Sequence, residues 1–144
     1  MSYFMMVTGD ISNVRRIEGL NFVPANDAQE YIAKIIKQFS AEEAAKTFFI
    51  DDGSLTSHDL VNEVQEPLIL GHPFEETRLA RLLEDCFKLN CKIRIWWANN
   101  DPDAFRKVEC FTEKKLFLET LTSKLEQGED VYLLYEPSGK SGCC

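Results

Sequence analysis

The sequence has few of the residues that serve metal binding, catalysis or membrane insertion. It contains two histidines, no C-x-x-C pair and no G-x-S-x-G segment, so the usual zinc ligand sets and the serine hydrolase elbow are missing. Its longest apolar runs reach about seven residues, whereas a membrane-spanning helix needs about 20. The N-terminus also lacks the basic start of a signal peptide. We therefore expect a cytoplasmic, non-enzymatic protein without a cofactor, a metal or a membrane segment.

Basic residues are absent from the whole segment between Lys46 and Arg78. Both histidines lie in this segment, together with seven carboxylates: Asp51, Asp52, Asp59, Glu63, Glu66, Glu75 and Glu76. The net charge of −8 and the lack of a basic patch argue against direct nucleic acid binding, which depends on clustered Lys and Arg. A surface of one sign speeds encounter with the opposite sign, so a basic protein is the partner that this charge favours.

Length and composition indicate one globular domain. A chain of 144 residues with 44% hydrophobic residues is large enough and apolar enough for one core. We place this domain at residues 1–136 and interpret 137–144 as a flexible tail. The five cysteines are odd in number and unpaired in spacing, so we expect reduced thiols, with Cys86 and Cys110 buried as small apolar residues.

Helical periodicity is clearest in three segments. Apolar residues recur at spacings of three and four over 27–39, 73–89 and 112–126, where Thr112 and Gly128 have the properties of caps. Ser40 predicts a further short helix after the first one. Thr56 to Gln65 is predicted as a helix that Pro67 ends, followed by a short strand at 68–70.

Strand-forming patterns occupy the segments between these helices. We predict strands at 3–7, 47–50, 91–97, 105–111 and 131–135, with the third and fourth paired as a hairpin. Residues 10–25 remain ambiguous. The combination predicts a single-domain α/β (α+β) fold, in which a mixed central sheet of about four to six strands carries three main helices.

Trp96 and the turn at 99–103 complete the predicted binding surface. Strand alternation places Trp96 on the same face as Lys92 and Arg94, which favours a partly exposed aromatic anchor. A second core layer under a helix is the equal alternative for Trp96. Asp101 and Asp103 in the turn join the acidic segment as candidate partner-binding residues.

The acidic segment has alternative interpretations. A small metal-dependent hydrolase could use Asp51, Asp52 and His58, but their spacing differs from the Ca²⁺-loop rhythm. An acidic adaptor or regulatory module that binds a basic protein is a further possibility. A plain solvated acidic face is the simplest interpretation.

In size, acidity and lack of catalytic motifs, the chain resembles bacterial immunity proteins, including those of contact-dependent growth inhibition systems. The resemblance implies tight binding to a cognate toxin, often a basic nuclease domain. It also implies that carboxylates of the immunity protein cover the toxin's substrate-binding site. On this basis we expect a toxin inhibitor that acts through protein–protein interaction.

Overall fold

The computed structural model describes residues 2–27, 30–71, 73–98 and 108–137. They form a mixed six-stranded sheet, and the predicted α/β class is confirmed. The strands are β1 (Ser2–Thr8), β2 (Asn21–Pro24), β3 (Thr47–Asp51), β4 (Lys92–Ala98), β5 (Glu109–Phe111) and β6 (Tyr132–Tyr135). Their order across the sheet is β2-β3-β1-β4-β6-β5.

The last three strands are connected differently from the predicted hairpin. β6 pairs with β4 in antiparallel orientation and separates it from β5. β5 therefore pairs with β6 alone, and it does so in parallel. The hairpin prediction was wrong because local alternation identifies a strand but does not identify its neighbour. Residues 105–107 of the predicted segment 105–111 lie outside the described residues.

Five α-helices are present in the described part of the chain. They are α1 (Glu30–Ile36), α2 (Ala41–Ala45), α3 (His58–Ile69), α4 (Arg78–Lys88) and α5 (Lys114–Gln127). The predicted helix at 73–89 starts later, because Phe74–Glu76 forms a 3-10 turn and the Thr77 hydroxyl accepts from Ala80 N–H to cap α4. α5 ends as predicted at Gly128, which has the left-handed φ of 69°.

Pro67 does not end α3, and the predicted strand at 68–70 is absent. The helix continues to Ile69, and Leu70 N–H still donates to the Glu66 carbonyl at 3.1 Å. A proline removes one backbone donor, but the packing of Leu60, Val61 and Val64 of α3 against the sheet holds the helix past this position. The acidic residues of the segment are therefore carried by a longer helix than the sequence indicates.

The sheet has an apolar cluster on each face. The larger cluster joins the inward residues of β1, β4 and β6 to α3, α4 and α5. The smaller cluster lies under α1 and α2 and contains Met6, Ile35, Phe49 and Trp96. Successive strand residues alternate between the clusters, as the pattern in β4 predicts for Ile93 and Ile95.

The cysteines are only partly as expected. Cys86 and Cys91 are buried and carry reduced thiols. Cys110 is half-buried on the edge strand β5 and is disulfide-bonded, so the expectation of a reduced, buried thiol was wrong. Sequence spacing alone does not show which cysteines a fold brings within bonding distance.

No helix among the described residues is long and apolar enough to cross a membrane.

Candidate functional site

The exposed face of α3 carries three carboxylates in one row. Asp59, Glu63 and Glu66 follow each other at i, i+4 and i+7, and all three are exposed. The opposite face of the helix buries Leu60 and Val64 in the larger cluster. The helix period therefore separates an acidic row from an apolar one, and the acidic row faces solvent.

Four carboxylates of this region have no ion-pair partner among the described residues: Asp59, Glu66, Glu75 and Glu76. Glu75 and Glu76 lie exposed in the 3-10 turn before α4. Glu63 differs, because Arg78 Nε donates to its carboxylate at 2.9 Å. We call these four unpaired residues the acidic surface.

Asp51 and Asp52 are used inside the chain. Asp51 Oδ1 accepts from the N–H groups of Gly53 and Leu55 at 2.8 and 2.9 Å. Asp52 Oδ2 accepts from Asp59 N–H at 2.6 Å and thereby satisfies a free donor at the start of α3. Both carboxylates therefore organise the loop between β3 and α3.

The environment of Asp52 favours its charged form. Partial burial alone would raise the pKa of Asp52, but the hydrogen bonds from Ser54, Asp59 and Leu60 outweigh burial and hold the pKa below its ordinary value. The carboxylate is thus a structural anion at neutral pH.

Trp96 is not an exposed anchor. Its side chain is 2% exposed and lies in the smaller cluster, stacked on Phe4 with ring centroids 5.5 Å apart. The alternative of a second core layer is what the structure contains, because α1 and α2 cover this face of the sheet. Asp101 and Asp103 lie outside the described residues.

The proposed metal ligands do not converge. No group of three or more His, Cys, Asp or Glu in the described ranges could hold a metal ion. His58 packs against aromatic rings, while Asp51 and Asp52 hold backbone N–H groups. The second histidine of the acidic segment, His72, lies outside the described residues.

The sequence did not reveal a pocket beside α3 whose wall consists of Tyr3, His58 and Trp97. The Tyr3 and Trp97 rings meet edge to face with centroids 4.3 Å apart. The His58 ring stacks on Tyr3 at 5.8 Å and lies 5.9 Å from Trp97. His58 Nδ1 is buried and lacks a hydrogen-bond partner within the described part of the chain. The three rings form one aromatic wall with an unsatisfied polar atom.

The remaining lining of this pocket is polar and acidic. Asn62 and Gln65 of α3 contribute amides, and Glu129 and Asp130 contribute carboxylates from the loop after α5. The cavity measures about 250 Å³. Burial, together with the charge of Asp130, raises the pKa of the Tyr3 hydroxyl, which keeps that group protonated. We call this cavity the aromatic–acidic pocket.

Backbone hydrogen bonds fix the aromatic wall. Tyr3 and Trp97 face each other in the β1–β4 register, and Trp97 N–H donates to the Val131 carbonyl at 2.8 Å. Ser57 N–H donates to the Tyr3 carbonyl at 3.0 Å and so attaches the start of α3 to β1. Only the sheet register and this junction bring the three rings together, which explains why local sequence patterns did not reveal the pocket.

A second, more open cleft of about 570 Å³ lies at the other end of β1 and β4. Both lysines that line it are paired with glutamates of the chain. Arg94, 8% exposed, donates to Glu43 at 2.6 Å, and Lys92 contacts both Glu43 and Glu136 at 3.1 and 3.7 Å. Burial would raise the pKa of Glu43, but Arg94 and Lys92 hold it below its ordinary value. These ion pairs connect α2 to β4, so the aromatic–acidic pocket is the stronger candidate for ligand binding.

Neither a protein-family model nor a curated protein nor a solved structure matches this chain.

Proposed function

We propose that this chain is a non-catalytic, cytoplasmic binding protein of the immunity type, which neutralises a basic bacterial toxin by covering it with the acidic surface. The observation that carries this proposal is the group of exposed carboxylates on α3 and the following turn that have no ion-pair partner among the described residues. A net charge of −8 acts in the same direction.

The geometry of α3 concentrates this charge. The carboxylates of Asp59 and Glu66 are two helical turns apart, which corresponds to roughly 10 Å along the axis. This separation is about one Debye length at 0.1 M salt, so an approaching cation experiences their combined field. Steering of this kind raises association rates by about 10- to 1,000-fold.

Carboxylates in the acidic surface can also bind a partner without lowering the stability of the fold. Exposed charges without partners contribute little to stability. A basic partner can therefore take them as ligands without breaking any ion pair of the chain. In contrast, Asp51, Asp52 and Glu63 are already engaged by N–H groups or by Arg78.

The same surface would suit an acidic adaptor that binds a basic peptide or protein. The two functions differ in their consequence for a cell, because only an immunity protein protects against a toxin. An immunity gene lies directly after its toxin gene, so the protein encoded immediately upstream is the partner to test.

Co-expression tests the proposal directly. The upstream protein is expressed in a bacterial host alone, with this chain, or with the variant E66Q/E75Q/E76Q. We expect growth arrest, full rescue and weakened rescue, respectively. A matched control is E113Q/E119Q/E126Q, which removes three exposed carboxylates from α5 and its start. Absence of toxicity, or failure of the wild-type chain to rescue growth, would reject the immunity function.

A further inference from the structure

We propose that the aromatic–acidic pocket is a binding site for a guanidinium group, supplied by an arginine side chain of the protein partner. This inference rests on the proposed function for the origin of the arginine, but the site itself can be tested without any partner.

The aromatic wall suits a flat cation. A cation within about 6 Å of a ring centroid is attracted by the ring's negative face, and tryptophan gives the strongest attraction. Tyr3, His58 and Trp97 all line the cavity and their ring centroids lie within 5.9 Å of one another, so a group bound there lies beside more than one ring. A guanidinium group also stacks on aromatic faces because it is planar, which an ammonium group cannot do.

The polar lining supplies acceptors for the five N–H donors of a guanidinium group. Asp130 has no ion pair among the described residues, whereas the Glu129 carboxylate lies 3.8 Å from Lys124 Nζ. The side-chain oxygens of Asn62 and Gln65 are further acceptors. An anionic ligand would meet two carboxylates here, so the lining selects for positive charge.

Size and position are consistent with a single side chain. Sites for drug-sized ligands measure roughly 300–1,000 Å³, and this cavity measures about 250 Å³. On α3 the pocket residues His58, Asn62 and Gln65 form the helical row next to the acidic row of Asp59 and Glu66. A basic partner steered to the acidic surface would thus find an anchoring pocket beside it.

NMR titration of the whole chain tests this site. The probe is N-acetylarginine methylamide, and its neutral isostere N-acetylcitrulline methylamide serves as the matched control. We expect the Trp97 indole N–H and the Gly128 to Asp130 amides to shift with the arginine compound, with a Kd on the order of millimolar. The citrulline compound should bind at least tenfold more weakly than the arginine compound. The corresponding lysine compound should also bind more weakly than the arginine compound.

Two variants locate the binding. D130N should weaken the arginine compound about fivefold or more, whereas E126Q, an exposed carboxylate on α5, should leave it unchanged. W97L should remove saturable binding. Equal binding of arginine and citrulline compounds, shifts that lie away from the pocket, or tighter binding of the lysine compound would overturn the proposal. Because no toxin is present in this experiment, its failure leaves the co-expression result unaffected.

Discussion

Ser57 joins two strands through one buried hydroxyl group, and its removal tests how that junction is held. The register of β1 and β3 pairs Met6 with Phe49, so Met5 and Ile50 would form the next pair. Instead, the Ser57 hydroxyl donates to the Ile50 carbonyl and accepts from Met5 N–H at 3.1 Å. The side chain is fully buried and replaces a direct backbone bond between the two strands.

Ser57→Ala leaves a backbone N–H and a backbone carbonyl without their partner. Each buried polar group that loses its hydrogen bond costs about 1–3 kcal/mol. We therefore expect the free energy of unfolding to fall by about 2–6 kcal/mol, a large share of the roughly 5–15 kcal/mol typical of a domain. The Ser57 backbone bond to Tyr3 remains, so the variant should keep the fold.

Urea denaturation followed by far-UV circular dichroism measures this loss. Ser123→Ala is the matched control, because Ser123 is exposed on α5 and its replacement should change stability by less than about 0.5 kcal/mol. A similarly small change for Ser57→Ala would refute the reasoning. It would mean that Met5 and Ile50 pair directly once the hydroxyl is removed.

Three further predictions concern stability. Asp52→Asn should lower the free energy of unfolding by about 1–2 kcal/mol at neutral pH, because it weakens the start of α3. Below about pH 4 the variant should lose less stability than the wild-type protein does. The folded state lowers the pKa of Asp52, so the stabilisation by its carboxylate is present at higher pH and disappears as the carboxylate is protonated. Urea midpoints of both proteins across pH 2–7 check the two claims. Equal pH profiles would contradict the second claim. Glu43→Gln should cost about 1.5–3 kcal/mol because buried Arg94 loses its charged partner, and an unchanged urea midpoint would contradict it. Trp96→Ala should lower the free energy of unfolding by about 3–5 kcal/mol because of the cavity it leaves. A variant that stays stable but no longer binds the partner would instead support the interpretation of Trp96 as an exposed anchor.

Elements whose sequence signal is local could be predicted from the sequence. The alternation in β4 correctly placed Ile93 and Ile95 in the larger cluster, because side chains on a strand point to opposite faces with a period of two. The end of α5 was equally visible, since Gly128 adopts a left-handed conformation that favours glycine.

Elements decided by tertiary structure could not be predicted. Pro67 is a strong local signal for a helix end, yet packing of α3 against the sheet carries the helix past it. The short strand β2 falls in a segment without clear alternation and forms by pairing with β3. Likewise, β5 forms a parallel pair that no turn sequence specifies.

The candidate site shows the same division. Within the helix predicted from Thr56 to Gln65, the helix period places Asp59 and Glu63 on one face, whereas Glu66 lies past the predicted end and joins the row only because α3 continues to Ile69. The roles of Asp51 and Asp52 depend on which N–H groups the loop turns toward them. The aromatic–acidic pocket depends on the β1–β4 register and on the Ser57 junction, so no single stretch of sequence contains it.

The central claim is that the acidic surface guides a basic toxin to this protein. The most direct measurement is the association rate constant between this chain and the protein encoded immediately upstream, taken across a salt series. The claim predicts that E66Q/E75Q/E76Q slows association about tenfold at low salt and flattens the salt dependence. E113Q/E119Q/E126Q, which removes the same charge elsewhere, should have a clearly smaller effect. Equal effects of the two variants would show that only net charge matters, and an absence of binding would contradict the account.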